Sequence, residues 1–321
     1  MLLAWALATG GLAFAIGAGW EQWVVVAHGA LGLGLLVLAP WKTIIARRGL
    51  RRQRSGSTTS VVLAGLVLLA LASGVAHATG LLRTVGPLTA MQVHVAAALG
   101  SIPFALWHLV ERPVRPRRTD LSRRTILRAG AVGAGSLAAL GGLAGVVRLT
   151  GLPGRRTRFT GSYRADPAAF PVTQWLSDGV PEIDASNWRL SILRRGEPAR
   201  GYPLDELDAR AEAVTATLDC TGGWFADATW HGVRLDRLLE GMEGRGIRAV
   251  SATGYSRRFP VDDADRLWVA TRVEGRPLSP GHGAPARILA PGRRGFWWVK
   301  WLVSIEVDDT PWWWQPPFPV Q

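Results

Sequence analysis

Long uncharged runs fill the first half of the chain, and short alternating ones fill the second. Residues 2–19, 22–40, 60–80, 88–110 and 129–149 are each nearly free of charge. Each is about as long as a helix needs to cross a bilayer, so five transmembrane helices are expected. Residues 150–160 are rich in glycine, proline and arginine and read as a linker. Beyond them, Trp188–Ile192, Ala249–Ala252 and Val299–Val307 alternate or are β-branched, as strands are. Helical periodicity is confined to Leu204–Glu212, Leu235–Glu240 and Val261–Leu267. Short strands mixed with short helices predict an α+β domain. The chain thus divides into a four-helix membrane domain (1–110), a basic loop with a fifth helix and linker (111–157), and an α+β domain (158–321).

Charge follows the same division. The net +13 of the chain comes from residues 1–157, with 17 Lys/Arg against 3 Asp/Glu, whereas residues 158–321 carry 20 against 21. A near-neutral second half argues against nucleic acid as a partner. The excess sits in two loops between apolar runs, 41–59 (Lys42, Arg47, Arg48, Arg51, Arg52, Arg54) and 111–128 (seven arginines). By the positive-inside rule both face the cytoplasm, which places everything after residue 150 outside the cytoplasmic membrane. Trp20, Trp23, Trp41 and Trp107 fall at span ends, where indole rings favour the lipid interface. The first run lacks a basic start and a small-residue cleavage site, so it reads as an anchor. Ser122-Arg123-Arg124-x-Ile-Leu-Arg128, ahead of the last apolar run, resembles a twin-arginine export signal, the route for folded, cofactor-loaded domains. Gly130-x-x-Gly133-x-Gly135 follows no strand and is not a dinucleotide loop.

Four of the six histidines, His28, His77, His94 and His108, lie in the apolar runs, where an ionisable side chain points to function. His94 and His108 are fourteen residues apart, about 21 Å along a helix and nearly on one face. The spacing resembles membrane b-type cytochromes, in which helix pairs hold haem through opposed histidines. His108 finds no inner partner, so a single outer haem b is expected, with His28 and His94 as iron ligands and His77 as the substitute. The competing reading is a haem-free anchor whose histidines bond between helices. No Cys-x-x-Cys-His motif exists for covalent haem attachment.

Cys220 is the only cysteine, set at the end of an apolar run and followed by Gly222-Gly223-Trp224. It can form no internal disulfide, and thiolate suits a soft metal. The stretch Leu218-Asp-Cys-Thr-Gly-Gly-Trp224, then Trp230-His-Gly-Val-Arg-Leu235, Gly281-His-Gly-Ala-Pro-Ala-Arg287 and Gly295-Phe-Trp-Trp-Val-Lys300-Trp301, resembles the sulfite-oxidase-type molybdopterin family. The resemblance covers about half the chain. It implies an α+β domain holding molybdenum–molybdopterin, with Cys220 as thiolate ligand, His282 and Arg287 on the pterin and its phosphate, Lys300 as the basic group behind the cofactor, and Thr173 and Gln174 in the first cofactor loop. His231 reads as a surface residue.

Substrate chemistry is less constrained. An oxyanion substrate needs basic side chains near the metal. Arg257 and Arg258 resemble the family's substrate-side loop, and since neighbours in a strand point opposite ways, Arg258 is taken as the catalytic one. The resemblance extends to bacterial periplasmic methionine-sulfoxide reductases, whose haem-bearing membrane partner is a separate chain. It therefore implies a membrane-anchored enzyme reducing sulfoxides, protein methionine sulfoxide included, with electrons from the quinone pool through haem. A sulfite dehydrogenase passing electrons inward, or a molybdopterin-binding module without turnover, are the alternatives. The uncharged tail Pro311-Trp-Trp-Trp-Gln-Pro-Pro-Phe318 lines a groove or lies on the membrane surface.

Overall fold

The computed structural model describes residues 1–15, 17, 19–51, 57–86, 88–111, 113, 122–174, 179–194 and 198–319. The chain forms two compact units, one holding Met1–Phe14 with Gly19–Tyr163 and the other holding Ala15–Ala18 with Arg164–Gln321.

The first unit is helical: α1 (Leu2–Ala15), α2 (Glu21–Arg51), α3 (Ser57–Thr79), α4 (Ala90–Glu111) and α5 (Arg123–Leu149), with the two-residue strands β1 (Thr84–Val85) and β2 (Leu88–Thr89) turning α3 into α4. α3 lies along α4 and α2 along α5. The expectation of five spans is corrected to four. α1 stops after 14 residues, about 21 Å of rise against a hydrocarbon core of roughly 30 Å. The segments Gln22–Ile44, Thr58–Thr79, Ala90–Glu111 and Arg123–Leu149 are long and apolar enough to cross a membrane. Small residues allow close approach between them: a Cβ at Gly34 would stand 2.6 Å from Ser136 Oγ of α5. Ser122 is the N-cap of α5, its side chain accepting from the Thr125 N–H at 3.4 Å. Thr119 to Leu121, which precede the export-signal stretch, lie outside the described residues, as do Arg52, Arg54, Arg112, Arg115, Arg117 and Arg118 of the basic loops.

The second unit is built from β3 (Tyr163–Arg164), β4 (Arg189–Arg194), β5 (Arg200–Pro203), α6 (Leu204–Ala209), β6 (Glu212–Cys220), β7 (Trp224–Arg234), α7 (Leu235–Leu238), β8 (Gly246–Ser251), β9 (Ser256–Pro260), β10 (Trp268–Val273), β11 (Arg276–Pro277), β12 (Arg287–Leu289) and β13 (Leu302–Asp308). One sheet is organised on β7, which pairs with β6 and β10; β11 and β12 extend β10, and β3 closes the other end. The second has the order β5-β4-β13-β8-β9, antiparallel except for the parallel β4–β13 pair. Alternation drives both: along β8 and β9 every second residue, including Ile247, Ala249 and Phe259, is buried. The expected helices at 204 and 235 form as the short α6 and α7, whereas Val261–Asp263 makes only a 3-10 turn. This mixed-sheet unit carries the α+β character expected of residues 158–321.

Candidate active site

Cys220 closes β6, and the chain turns at once into β7, so Cys220 faces Trp224 across the hairpin. The Gly223 N–H donates to the Cys220 carbonyl at 3.1 Å, and Gly223 has φ +89°, a conformation natural only to glycine. Gly222 donates its N–H to Cys220 Sγ at 3.3 Å. The sulfur side of this turn opens on a cavity of about 130 Å³. Phe170, Trp224, Tyr255, Phe296, Trp298 and Trp301 supply aromatic walls, and Thr173, Gln174, His282, Arg287 and Lys300 are among the polar ones.

The structure therefore gathers Cys220 and these five polar residues, far apart in the chain, around one cavity. Three of the polar side chains are anchored on backbone. Lys300 Nζ donates to the carbonyls of Thr173 and Gly281, both at 2.8 Å. His282 bridges Ser279 Oγ (2.8 Å) and the Phe170 carbonyl (3.0 Å). Arg287 is 2% exposed, donates to the carbonyls of His282 (3.1 Å) and Trp298 (3.0 Å), and lies over the rings of Trp230 and Trp298. Burial pulls its guanidinium down to about 10. Burial pushes the Cys220 thiol up, against the opposing pull of the Gly222 N–H, Thr173, Arg294 and Lys300. Burial likewise holds the His282 imidazole below its ordinary range.

Two donors at this cavity have no acceptor among the described residues. Gln174 Nε2 and Arg287 Nε are buried and unpaired, a state that costs free energy unless a ligand supplies the missing acceptors. A soft sulfur, a buried guanidinium, a lysine and unsatisfied donors fit a phosphate-bearing pterin with a thiolate-bound metal.

Arg258 lies elsewhere, which corrects its assignment as a catalytic residue. Its guanidinium grips Asp308 with two bonds of 2.7 and 2.8 Å, and its backbone pairs with the Gln315 side chain. Arg257, on the opposite face of β9, is 2% exposed beneath the rings of Phe296 and Trp297 and donates to the Pro316 carbonyl at 3.1 Å. Neither residue lines the cavity. Sequence reasoning also passed over the pair behind Cys220: Arg294 Nη1 meets Asp219 Oδ1 at 2.8 Å with both side chains buried, and Nη2 reaches the Cys220 carbonyl at 3.4 Å. The position of Asp219 directly before the cysteine was the available signal. Trp312, Trp313 and Trp314 of the tail are exposed, while Pro319 borders the cavity.

Residues 177–314 match an oxidoreductase molybdopterin binding domain. That span holds Cys220, His282, Arg287 and Lys300 and begins just after Thr173 and Gln174. Mitochondrial sulfite oxidase of Rattus norvegicus is 28% identical over 176 residues, covering 42% of this chain and 32% of its own length. Nitrate reductase [NAD(P)H] of Hordeum vulgare is 27% identical over 167 residues, 40% of this chain and 19% of its own. The protein-methionine-sulfoxide reductase catalytic subunit MsrP of Xanthomonas campestris pv. campestris is 26% identical over 164 residues, 42% of this chain and 51% of its own. The chain spans between a fifth and a half of the length of these relatives. The domain match supports a molybdenum-dependent oxidoreductase with a molybdenum–molybdopterin cofactor.

In the helical unit, the rings of His28 and His94 meet edge to face with centroids 5.7 Å apart. His28 Nδ1 bonds the Ala6 carbonyl at 2.9 Å, and His94 Nδ1 bonds the Ala70 carbonyl at 2.7 Å. His77 spends Nε2 on the Gly161 carbonyl (2.8 Å), packs edge-on to Tyr163 and accepts the Tyr163 hydroxyl at its own carbonyl. His108 Nδ1 lies 3.2 Å from Ser60 Oγ. Of the four, His28 and His94 are the two whose rings meet, which suits two ligands on one haem iron better than any pair with His77.

Proposed function

We propose that the protein is a membrane-anchored molybdenum oxidoreductase that reduces sulfoxides outside the cytoplasmic membrane, drawing electrons from quinol through haem b. The observation that carries the sulfoxide reading is the chemistry of the cavity wall. Among the described lining residues the permanent cations are Arg287 and Lys300, and both donate to backbone carbonyls. Arg257 and Arg258, the side chains assigned to a sulfite dianion, do not line the cavity; Arg257 donates to the Pro316 carbonyl and Arg258 grips Asp308. Aromatic walls with few spare cations favour a neutral, apolar-flanked substrate over a dianion.

The molybdenum cofactor, when bound, supplies oxygen-atom transfer. The chain's own residues do the holding. Cys220 provides the thiolate, with the Gly222 N–H directed at its sulfur. Arg287 and Gln174 offer their free donors to the pterin's phosphate and polar edge. The aromatic wall excludes water, so each of these bonds acts in a low dielectric. His28 and His94 would hold the haem.

Orientation rests on the arginine loops rather than on α1. With 41–59 and 111–128 cytoplasmic, α3, α4 and α5 carry the chain out, in and out again, whatever α1 does. The outside location and the twin-arginine route follow from that reading.

Detergent-purified protein should turn over dimethyl sulfoxide or methionine sulfoxide with a reduced viologen dye, and show a haem Soret band. Faster oxidation of sulfite with ferricyanide would reverse the assigned direction.

A further inference from the structure

Two stretches of the helical unit repeat one another. α1 carries Ala6-Leu7-Ala8-Thr9-Gly10 and α3 carries Ala70-Leu71-Ala72-Ser73-Gly74. Each receives a histidine from the helix that follows it. His28 of α2 bonds the carbonyl of the first alanine in its stretch, and His94 of α4 bonds the equivalent carbonyl in the other. One turn further on, the glycine of each stretch lies against the same ring. A Cβ at Gly10 would stand 2.9 Å from His28 Cε1, and one at Gly74 would stand 2.9 Å from His94 Nδ1.

This arrangement fixes the chemistry of both rings. A carbonyl can only accept, so the proton of each neutral imidazole resides on Nδ1, and each Nε2 keeps its lone pair. Among the described residues, neither Nε2 makes a hydrogen bond. Two neighbouring lone pairs with no donor between them cannot bond to each other. Protonating one would set a charge among apolar helices. An electron-pair acceptor resolves the conflict, and anchoring Nδ1 on a carbonyl is how metal-bound imidazoles are oriented. No third metal-ligating side chain joins them among the described residues, so a bare ion would lack ligands that a porphyrin iron brings with it.

We infer that the Ala-Leu-Ala-Thr/Ser-Gly stretches of α1 and α3 are matched seats that orient His28 and His94 onto one haem iron, with Gly10 and Gly74 as positions where no side chain fits. The inference rests on the haem reading above, and Ala6, Gly10, Ala70 and Gly74 act as positioning residues. It also gives α1 a role that needs no membrane crossing: it completes half of the site.

The test uses the full chain in detergent, carrying Gly10→Ala, Gly74→Ala, His94→Ala or, as a control, Gly65→Ala. Gly65 is also in α3, and a Cβ there meets nothing within 4 Å. Haem affinity, read from the Soret band on titration with hemin, should fall about 10–100-fold in both seat variants and stay unchanged in Gly65→Ala. Gly10→Ala keeps the test open if Gly74→Ala does not accumulate, because α1 packs far more lightly on its neighbours than α3 does on α4. Wild-type affinity in both seat variants, with haem lost in His94→Ala, sinks the seats but spares the haem. Wild-type protein that takes up no haem overturns both.

Discussion

The two units prepare their proposed metal ligands in opposite ways. Around Cys220, the ligand and its supports come from strand ends and loops scattered between Phe170 and Trp301, and an N–H, a hydroxyl and two cations act on the sulfur. Around His28 and His94 the supports are backbone carbonyls within two five-residue stretches of helix. In the first setting donors and cations work against a burial that pushes the thiol up; the second keeps neutral nitrogens neutral and aimed. A loop-built site needs long-range folding to exist at all, whereas a helix-built one needs only register between neighbouring helices.

Substitutions can break this contrast one side at a time. The largest effect is expected from Cys220→Ala, which should abolish sulfoxide turnover and molybdenum content while leaving the Soret band intact, as elemental analysis and absorbance on one sample would show. His94→Ala should do the reverse: haem lost, quinol-driven turnover lost, dye-driven turnover kept. A loss of molybdenum in that variant would mean that the two sites are not independent. Next in size comes the buried pair behind the thiolate. Arg294→Met removes the cation that faces the buried Asp219 carboxylate, and should cost about 3–5 kcal/mol in denaturant unfolding of the second unit. Adding Asp219→Asn should recover much of that, because no uncompensated charge then remains. The smallest effect belongs to Asp308→Asn. Arg258 holds the Asp308 carboxyl below its ordinary value, so the stabilisation is complete above the unfolded value of 3.8 and fades as pH falls through the lower folded value. The pair is partly exposed, so the difference at pH 7 should be no more than about 1 kcal/mol and should vanish in strong acid.

Legibility from sequence differed between the halves for physical reasons. Cys220 could be singled out as a lone thiol beside Gly222 and Gly223, whereas His282, Arg287 and Lys300 were legible only through the resemblance of their motifs to the molybdopterin family. Arg258 misled because strand alternation says that two neighbours face opposite ways without saying which faces the cavity. The answer lay in Asp308, fifty residues on, and in the tail. Arg294 was silent for a similar reason: a buried ion pair has no periodicity to betray it, and only the place of Asp219 before the cysteine hinted at a partner. In the membrane half, counting apolar residues overstated α1, since Gly17 and Gly19 extend an uncharged run without extending a helix. The paired alanine–glycine stretches were readable as a repeat, but only the position of each imidazole gives the repeat a meaning.

The grip of Gln315 on β9 has a further consequence. β9 is the outer strand of its sheet, and the Gln315 amide accepts from the Arg258 N–H and donates to the Arg258 carbonyl at 2.9 and 2.8 Å. One side chain thereby imitates a neighbouring strand and occupies the rung where a foreign chain would begin to zip on. Gln315→Ala would leave that rung vacant, turning a capped margin into a template for self-association.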